Sequence, residues 1–168
     1  MSPTFEFDGE KYKKASRHQK EWGSSLIGEL SLKDGGHLLW DFAGDGNCSN
    51  FFDVIRKEME SEEYGQYFKE FEWPWYMPSR EDYAKIVAAS GFSSCNISEV
   101  NRDRFFSDAD EMIRWIDQPS IVPFVRALPE GVREKFRDEV VRAMLDRTMQ
   151  ADGTCFETFR RIQVRADK

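Results

Sequence analysis

The chain is expected to fold as an α/β protein of the α+β kind, with a small sheet of about three strands packed with about six helices. Three observations predict this. Capped segments with apolar residues at helical spacing recur along the chain. Short alternating segments lie between and after them, near residues 38, 95 and 162. No internal repeat or low-complexity linker interrupts the series. A length of 168 residues suits one domain, residues 1–168, with a sizeable core.

The first helix is placed over residues 10–30, where Tyr12, Ala15, Trp22, Leu26 and Leu30 come close to helical spacing. Lys33-Asp34-Gly35-Gly36 closes it as a turn. Leu38, Trp40 and Phe42 alternate with Leu39 and Asp41, a strand that ends at Ala43-Gly44-Asp45-Gly46. Ser49 or Asn50 can cap the next helix, with Phe51, Val54, Ile55 and Met59 on its apolar face. Glu58 to Glu63 reads as the solvated end of that helix. The aromatic run Tyr67 to Pro78 carries two prolines, so it is an ordered loop rather than a helix. Ser79-Arg80-Glu81-Asp82 starts a helix with Tyr83, Ile86 and Val87 inward, and Gly91 stands where a C-terminal cap belongs.

Residues 94–105 alternate around Cys95, Ile97 and Val100 and are expected to form one strand. Ser107 and Asp108 open a helix bearing Met112, Ile113, Trp115 and Ile116, which Pro119 stops. A short helix follows through Ile121, Val122, Phe124 and Val125. Pro129 opens the longest helix, with Val132, Phe136, Val140, Ala143 and Met144 on one face. Asp152-Gly153 is a turn. The last strand sets Phe156, Ile162, Val164 and Ala166 against Glu157, Arg161, Gln163 and Arg165.

Bulk properties exclude several function classes. A net charge of −7 and a pI near 5.0 argue against a nucleic-acid partner, which needs clustered uncompensated Lys and Arg. No apolar run approaches the ~20 residues of a membrane span, and no secretory leader is visible, so a cytoplasmic location is expected. Cys48, Cys95 and Cys155 are far apart and form no CxxC pair, and His18 and His37 are the only histidines. No metal site or disulfide is expected; the cysteines read as buried thiols. There is no G-x-S-x-G elbow, Walker motif or Cys–His pattern, so no residue is assigned a catalytic role. Trp73, Trp75, Tyr76 and Trp115 could line a pocket for a small acid, with Arg160 or Arg161 supplying a bidentate guanidinium; equally, aromatics of this kind fill cores.

Several segments carry a family likeness. Tyr12 to Gly23, with Gln19 and Trp22, resembles the opening helix of a class I S-adenosylmethionine (AdoMet) methyltransferase. Gly36-His37-Leu38-Leu39-Trp40-Asp41-Phe42, Glu81-Asp82-Tyr83 to Gly91-Phe92, Trp115 to Glu130, and Asp152 to Arg165 resemble the C-terminal part of the trans-aconitate methyltransferase-like group. The resemblance implies a Rossmann-type fold reduced to a remnant. Residues 1–34 would supply the N-terminal helix segment and residues 35–168 the substrate-side half. Most of the cofactor-binding half between them is missing.

Family members bind AdoMet on a Gly-rich turn after their first strand, with an acid ending the second. Here the turn is Asp41-Phe42-Ala43-Gly44-Asp45-Gly46, with its glycines one position out of register and no acid-ended strand following. The resemblance therefore implies a shortened protein without methyl transfer of its own and with no cofactor, which binds a small acidic ligand at Trp75, Tyr76, Trp115 and Arg160 or assembles with itself. The strand Leu38–Phe42, having lost its neighbour, would be the edge of a homodimer. The alternative is an active AdoMet-dependent methyltransferase of small carboxylic acids, with a site completed in a dimer and the cofactor on Gln19, Trp22, Asp41, Gly44, Asp45 and Gly46. A deletion product joined at Lys33–Gly36 without a selected function is the third reading.

Overall fold

A computed structural model describes residues 8–15, 21–22, 36–92 and 94–167. Among these are six α-helices and five strands, a mixed α+β architecture. The helices are α1 (Gly9–Ala15), α2 (Ser49–Met59), α3 (Arg80–Ala88), α4 (Ala109–Trp115), α5 (Val122–Ala127) and α6 (Glu130–Thr148). The strands are β1 (His37–Ala43), β2 (Ser94–Asn101), β3 (Arg104–Phe106), β4 (Cys155–Glu157) and β5 (Arg160–Asp167). Of the expected helix over 10–30, Glu21 and Trp22 are helical beyond α1, while Gln19, Leu26, Leu30 and the Lys33–Gly35 part of the turn lie outside the described residues. No helix among the described residues is long and apolar enough to cross a membrane.

The chain packs as two compact units. The first contains α1, α2, α4, α5, α6, β4 and Phe105–Phe106 of β3. Asp8 caps α1 through its carboxylate, which accepts from the N–H groups of Glu10 and Lys11 at 3.0 and 3.1 Å. Asp108 does the same for α4, accepting from Glu111 N–H at 2.7 Å. Pro119 interrupts regular helix as expected, giving a wide turn over Ile116–Ser120 before α5. The core is aromatic at its centre. Phe51 meets Trp115 and Phe124 edge-on at 5.7 and 6.2 Å, and Phe124 also meets Trp73 at 5.5 Å. The α6 stripe of Phe136, Val140 and Met144 is fully buried. The loop after Tyr67 is irregular up to Ser79, and its Phe68 and Phe71 pack against Phe136 and Phe124.

The second unit is built on a three-stranded sheet of order β1-β5-β2. β5 runs antiparallel to both neighbours, pairing Trp40 with Val164 on one side and Ile97 with Val164 on the other. Ile162, Val164 and Ala166 are buried on one face. α3 belongs to the same unit; its Tyr83 packs tilted against Phe42, ring centroids 4.3 Å apart, and accepts a hydrogen bond from Trp40 Nε1 at 3.0 Å. Ser79 caps α3 as the sequence suggests, its Oγ accepting from Asp82 N–H at 3.1 Å. Gly91 has φ +77°, the left-handed conformation a helix exit uses.

Four expectations are corrected. The strand over 94–105 is two, because Arg102 and Asp103 break it and β3 joins β4 in a separate two-stranded sheet. The final strand is also two, and the break shifts its phase. Cys155, Glu157 and Phe159 are buried before it, and Ile162, Val164 and Ala166 after it. Phe156 is therefore half-buried, while Glu157 is fully buried. The reason is a cap that local sequence cannot reveal. The Glu157 carboxylate accepts from the N–H groups of Asn50 and Phe51 at 3.1 and 2.9 Å and from Asn50 Nδ2 at 3.1 Å, so it caps the start of α2 from a distant part of the chain. Ile86 is exposed, because Tyr83 and Val87, one helical turn apart, take the inward stripe and Ile86 lies about 100° away from Val87. Cys95 is exposed on an edge strand and Cys48 half-buried; Cys155 alone is buried.

Candidate functional site

The second unit contains a cavity of about 260 Å³ where the C-terminal ends of β1 and β2 flank the start of β5. Gly44, Asp45 and Gly46 form one wall, Glu99 and Asn101 another, and Arg160 and Arg161 the floor between them. Strand register makes the site. Ala43 lies opposite Arg161, and Asn101 opposite Arg160, so residues far apart in the chain converge on one end of the sheet. The outer strands, both antiparallel to β5, deliver their loops to the same end of the sheet.

The turn is held by hydrogen bonds of its own. Gly44 N–H donates to the Arg160 carbonyl at 3.0 Å, Asp45 N–H to the Pro78 carbonyl at 3.0 Å, and Asn47 N–H to the Gly44 carbonyl at 3.2 Å. Thr158 Oγ1 donates to the Gly46 carbonyl at 3.0 Å, and Cys48 N–H to the Thr158 carbonyl at 2.8 Å. Both glycines are required by this geometry. A Cβ on Gly44 would stand 2.8 Å from Ile162 Cγ1, and Gly46 has φ +76°. A backbone cradle for a cofactor needs outward N–H groups. Those of Gly44, Asp45 and Asn47 are already engaged within the protein.

The two arginines are also engaged. Arg160 is ion-paired with Asp103, whose Oδ1 further accepts from Phe159 N–H at 3.0 Å. Arg161 Nε donates to Asp41 Oδ1 at 2.6 Å, and the pair is largely buried, with side chains 16% and 9% exposed. The Arg161 guanidinium also lies 5.5 Å over the Trp22 ring, which meets Phe159 edge-on at 5.4 Å. Asp45 and Glu99 are both exposed at the cavity wall. Carboxylates outnumber guanidiniums here, so an incoming acid must compete with Asp103 for Arg160. Among the described residues no group of three or more His, Cys, Asp or Glu side chains could hold a metal ion.

The residues singled out from sequence separate accordingly. Gly44, Asp45, Gly46 and Arg160, given different roles by the resemblance, share one cavity. Asp41 and Trp22 adjoin it through Arg161. Gln19 lies outside the described residues. Trp115 is in the core of the first unit, between Phe51 and Phe106, whereas Trp75 and Tyr76 belong to the second and do not line the cavity. Tyr76 is 72% exposed. Sequence reasoning missed Asp103, Glu99 and Asn101. Their only signal was the break at Arg102-Asp103, hidden inside an otherwise plausible strand.

No model of a known protein family matches the chain, and no curated protein matches it.

Proposed function

We propose that this chain is a shortened relative of AdoMet-dependent methyltransferases, without methyl transfer of its own, that works as a self-assembling module with a second copy as partner. The observation that carries the reading is the sheet edge. Among the described residues β1 pairs on one side only, through seven register positions with β5 from His37↔Asp167 to Ala43↔Arg161. Leu38 on that strand is half exposed. An apolar edge strand with open N–H and C=O groups is a template for another strand. The engaged amides of Gly44, Asp45 and Asn47 support a module without its own cofactor.

Sedimentation equilibrium of the full chain at micromolar concentration tests the assembly. A dimer is expected, with Leu38→Lys shifting it to monomer at unchanged circular dichroism. A wild-type monomer overturns the reading. Calorimetric titration with S-adenosylhomocysteine is expected to give no heat at millimolar ligand; micromolar binding would instead favour an active enzyme using Asp41 and the Gly44–Gly46 turn. Ligand binding is the second part of the proposal. The Arg160 side chain is one-third exposed at the cavity floor, so its guanidinium can turn from Asp103 to the carboxylate of a small acid.

A further inference from the structure

We propose that the cavity at the end of the three-stranded sheet takes a basic α-amino acid, a reading that rests on the Arg160–carboxylate contact proposed above. Register decides which side chains share the cavity. Asn101 lies opposite Arg160 and Glu99 opposite Ile162, so these four stand on one face of the sheet. The glycine turn closes over the same face. A Cβ on Gly44 would meet Ile162 Cγ1 at 2.8 Å, and one on Gly46 would meet Arg160 Cγ at 3.3 Å. Asp45, between the two glycines, is exposed at the cavity wall.

Charge then decides what fits. Arg161 alternates with Arg160 along β5, and its guanidinium is held by Asp41 and lies over Trp22. Arg160 is matched by Asp103. Asp45 and Glu99 line the same cavity and have no side-chain hydrogen bond or ion pair among the described residues. Glu99 and Arg80 attract each other at a distance, but Arg80 is itself bonded to Glu81 through Nε and Nη2 at 3.1 and 2.8 Å. The two arginine pairs cancel, and two carboxylates remain.

A plain carboxylic acid brings a further negative charge to that place and must displace Asp103 as well. An α-amino acid with a cationic side chain brings what the cavity lacks. Its two cations answer Asp45 and Glu99, and its one carboxylate answers the Arg160 fork. The size agrees. The cavity, about 260 Å³, lies just below the range of about 300–1,000 Å³ that holds drug-sized ligands.

Four probes of similar chain length separate these contacts. Hexanoate has the carboxylate alone, norleucine adds the α-ammonium, and lysine adds the side-chain ammonium. Cadaverine keeps two ammonium groups and lacks the carboxylate. Each is titrated into the full chain at low ionic strength and neutral pH, followed by the ¹⁵N amide shifts of Gly44, Gly46 and Asn101. Binding is expected to tighten about threefold from hexanoate to norleucine and about threefold again to lysine, with cadaverine weaker than lysine. Asp45→Asn combined with Glu99→Gln, both at exposed positions, is expected to remove both steps at unchanged circular dichroism. Hexanoate binding as tightly as lysine overturns the proposal and leaves the small-acid reading standing. Steps that survive the double substitution in a folded chain overturn it in the same way. Cadaverine matching lysine, or no shift with any probe, overturns both readings.

Discussion

The two units hold themselves together by different means. Of the described buried apolar side chains, Pro78, Val87, Phe159, Ile162, Val164 and Ala166 belong to the second unit, and all the others to the first. The first unit buries area: rings from α2, α4, α5 and α6 meet edge-on around Phe51, Phe124 and Phe136. The second buries fewer rings, and Asp41–Arg161, Arg160–Asp103 and the Trp40–Tyr83 hydrogen bond hold the end and face of its sheet. Apolar burial is tolerant of small displacement, whereas directed polar contacts fail when one partner is lost. The candidate site lies in the unit organised by polar contacts, and its shape follows from them.

The largest single effect is nevertheless expected in the first unit, at the one buried charged side chain among its described residues. Glu157→Ala removes the acceptor from two backbone N–H groups and the Asn50 side chain at once, in a fully buried place. A loss of about 4 kcal/mol in urea unfolding is expected. Glu157→Gln, which keeps one acceptor oxygen, should recover part of it. A loss below about 1 kcal/mol would mean that α2 starts without this cap, and the contrast between apolar and polar units would lose its main exception.

In the second unit, Arg161→Ala leaves Asp41 largely buried without its cation and uncovers one face of Trp22. A cost of about 3 kcal/mol is expected, since breaking one side of a buried pair strands the other charge. Replacing both residues with Leu should cost less than the single change, because an apolar pair at these positions asks for no solvation. Equal costs for single and double variants would show that the pair does not act as a unit, and would place the second unit nearer to the first in kind.

Much of the fold was legible where signals are local. Asp108 and Ser79 announce their helices by capping, and the α6 stripe repeats at helical spacing. The strands were harder for a physical reason. Alternation has a period of two, so a two-residue break at Arg102-Asp103 or Thr158-Phe159 can be absorbed into one apparent strand. The phase change between Phe159 and Ile162 reverses which neighbours point inward, and Glu157 was read as solvated for that reason. The site was half legible. The Gly44-Asp45-Gly46 turn stands out as sequence, yet its glycines answer to Ile162 and to a positive φ. The cavity joins that turn to Arg160 and Glu99 through β-sheet register, which no spacing in the chain encodes.

The smallest expected effect is a pH dependence confined to the first unit. Tyr64 is 1% exposed, packs edge-on against Phe136 at 4.9 Å, and donates its hydroxyl to Glu139 Oε2 at 2.6 Å. Burial first, and then the Glu139 hydrogen bond, push its phenol well above the ordinary tyrosine value of 10.0. Below about pH 10 the phenol is protonated in folded and unfolded chains alike, and its contribution is fully present. Above that, the unfolded chain releases the proton while the folded chain keeps it, so stability falls by about 1.4 kcal/mol per pH unit from this group. Tyr64→Phe should lose about 1 kcal/mol near neutral pH and then fall less steeply than wild type in alkali, so the two urea midpoints converge as pH rises. Parallel midpoints would mean that the phenol ionises alike in both states, and that the aromatic interior of the first unit does not hold this hydroxyl away from water.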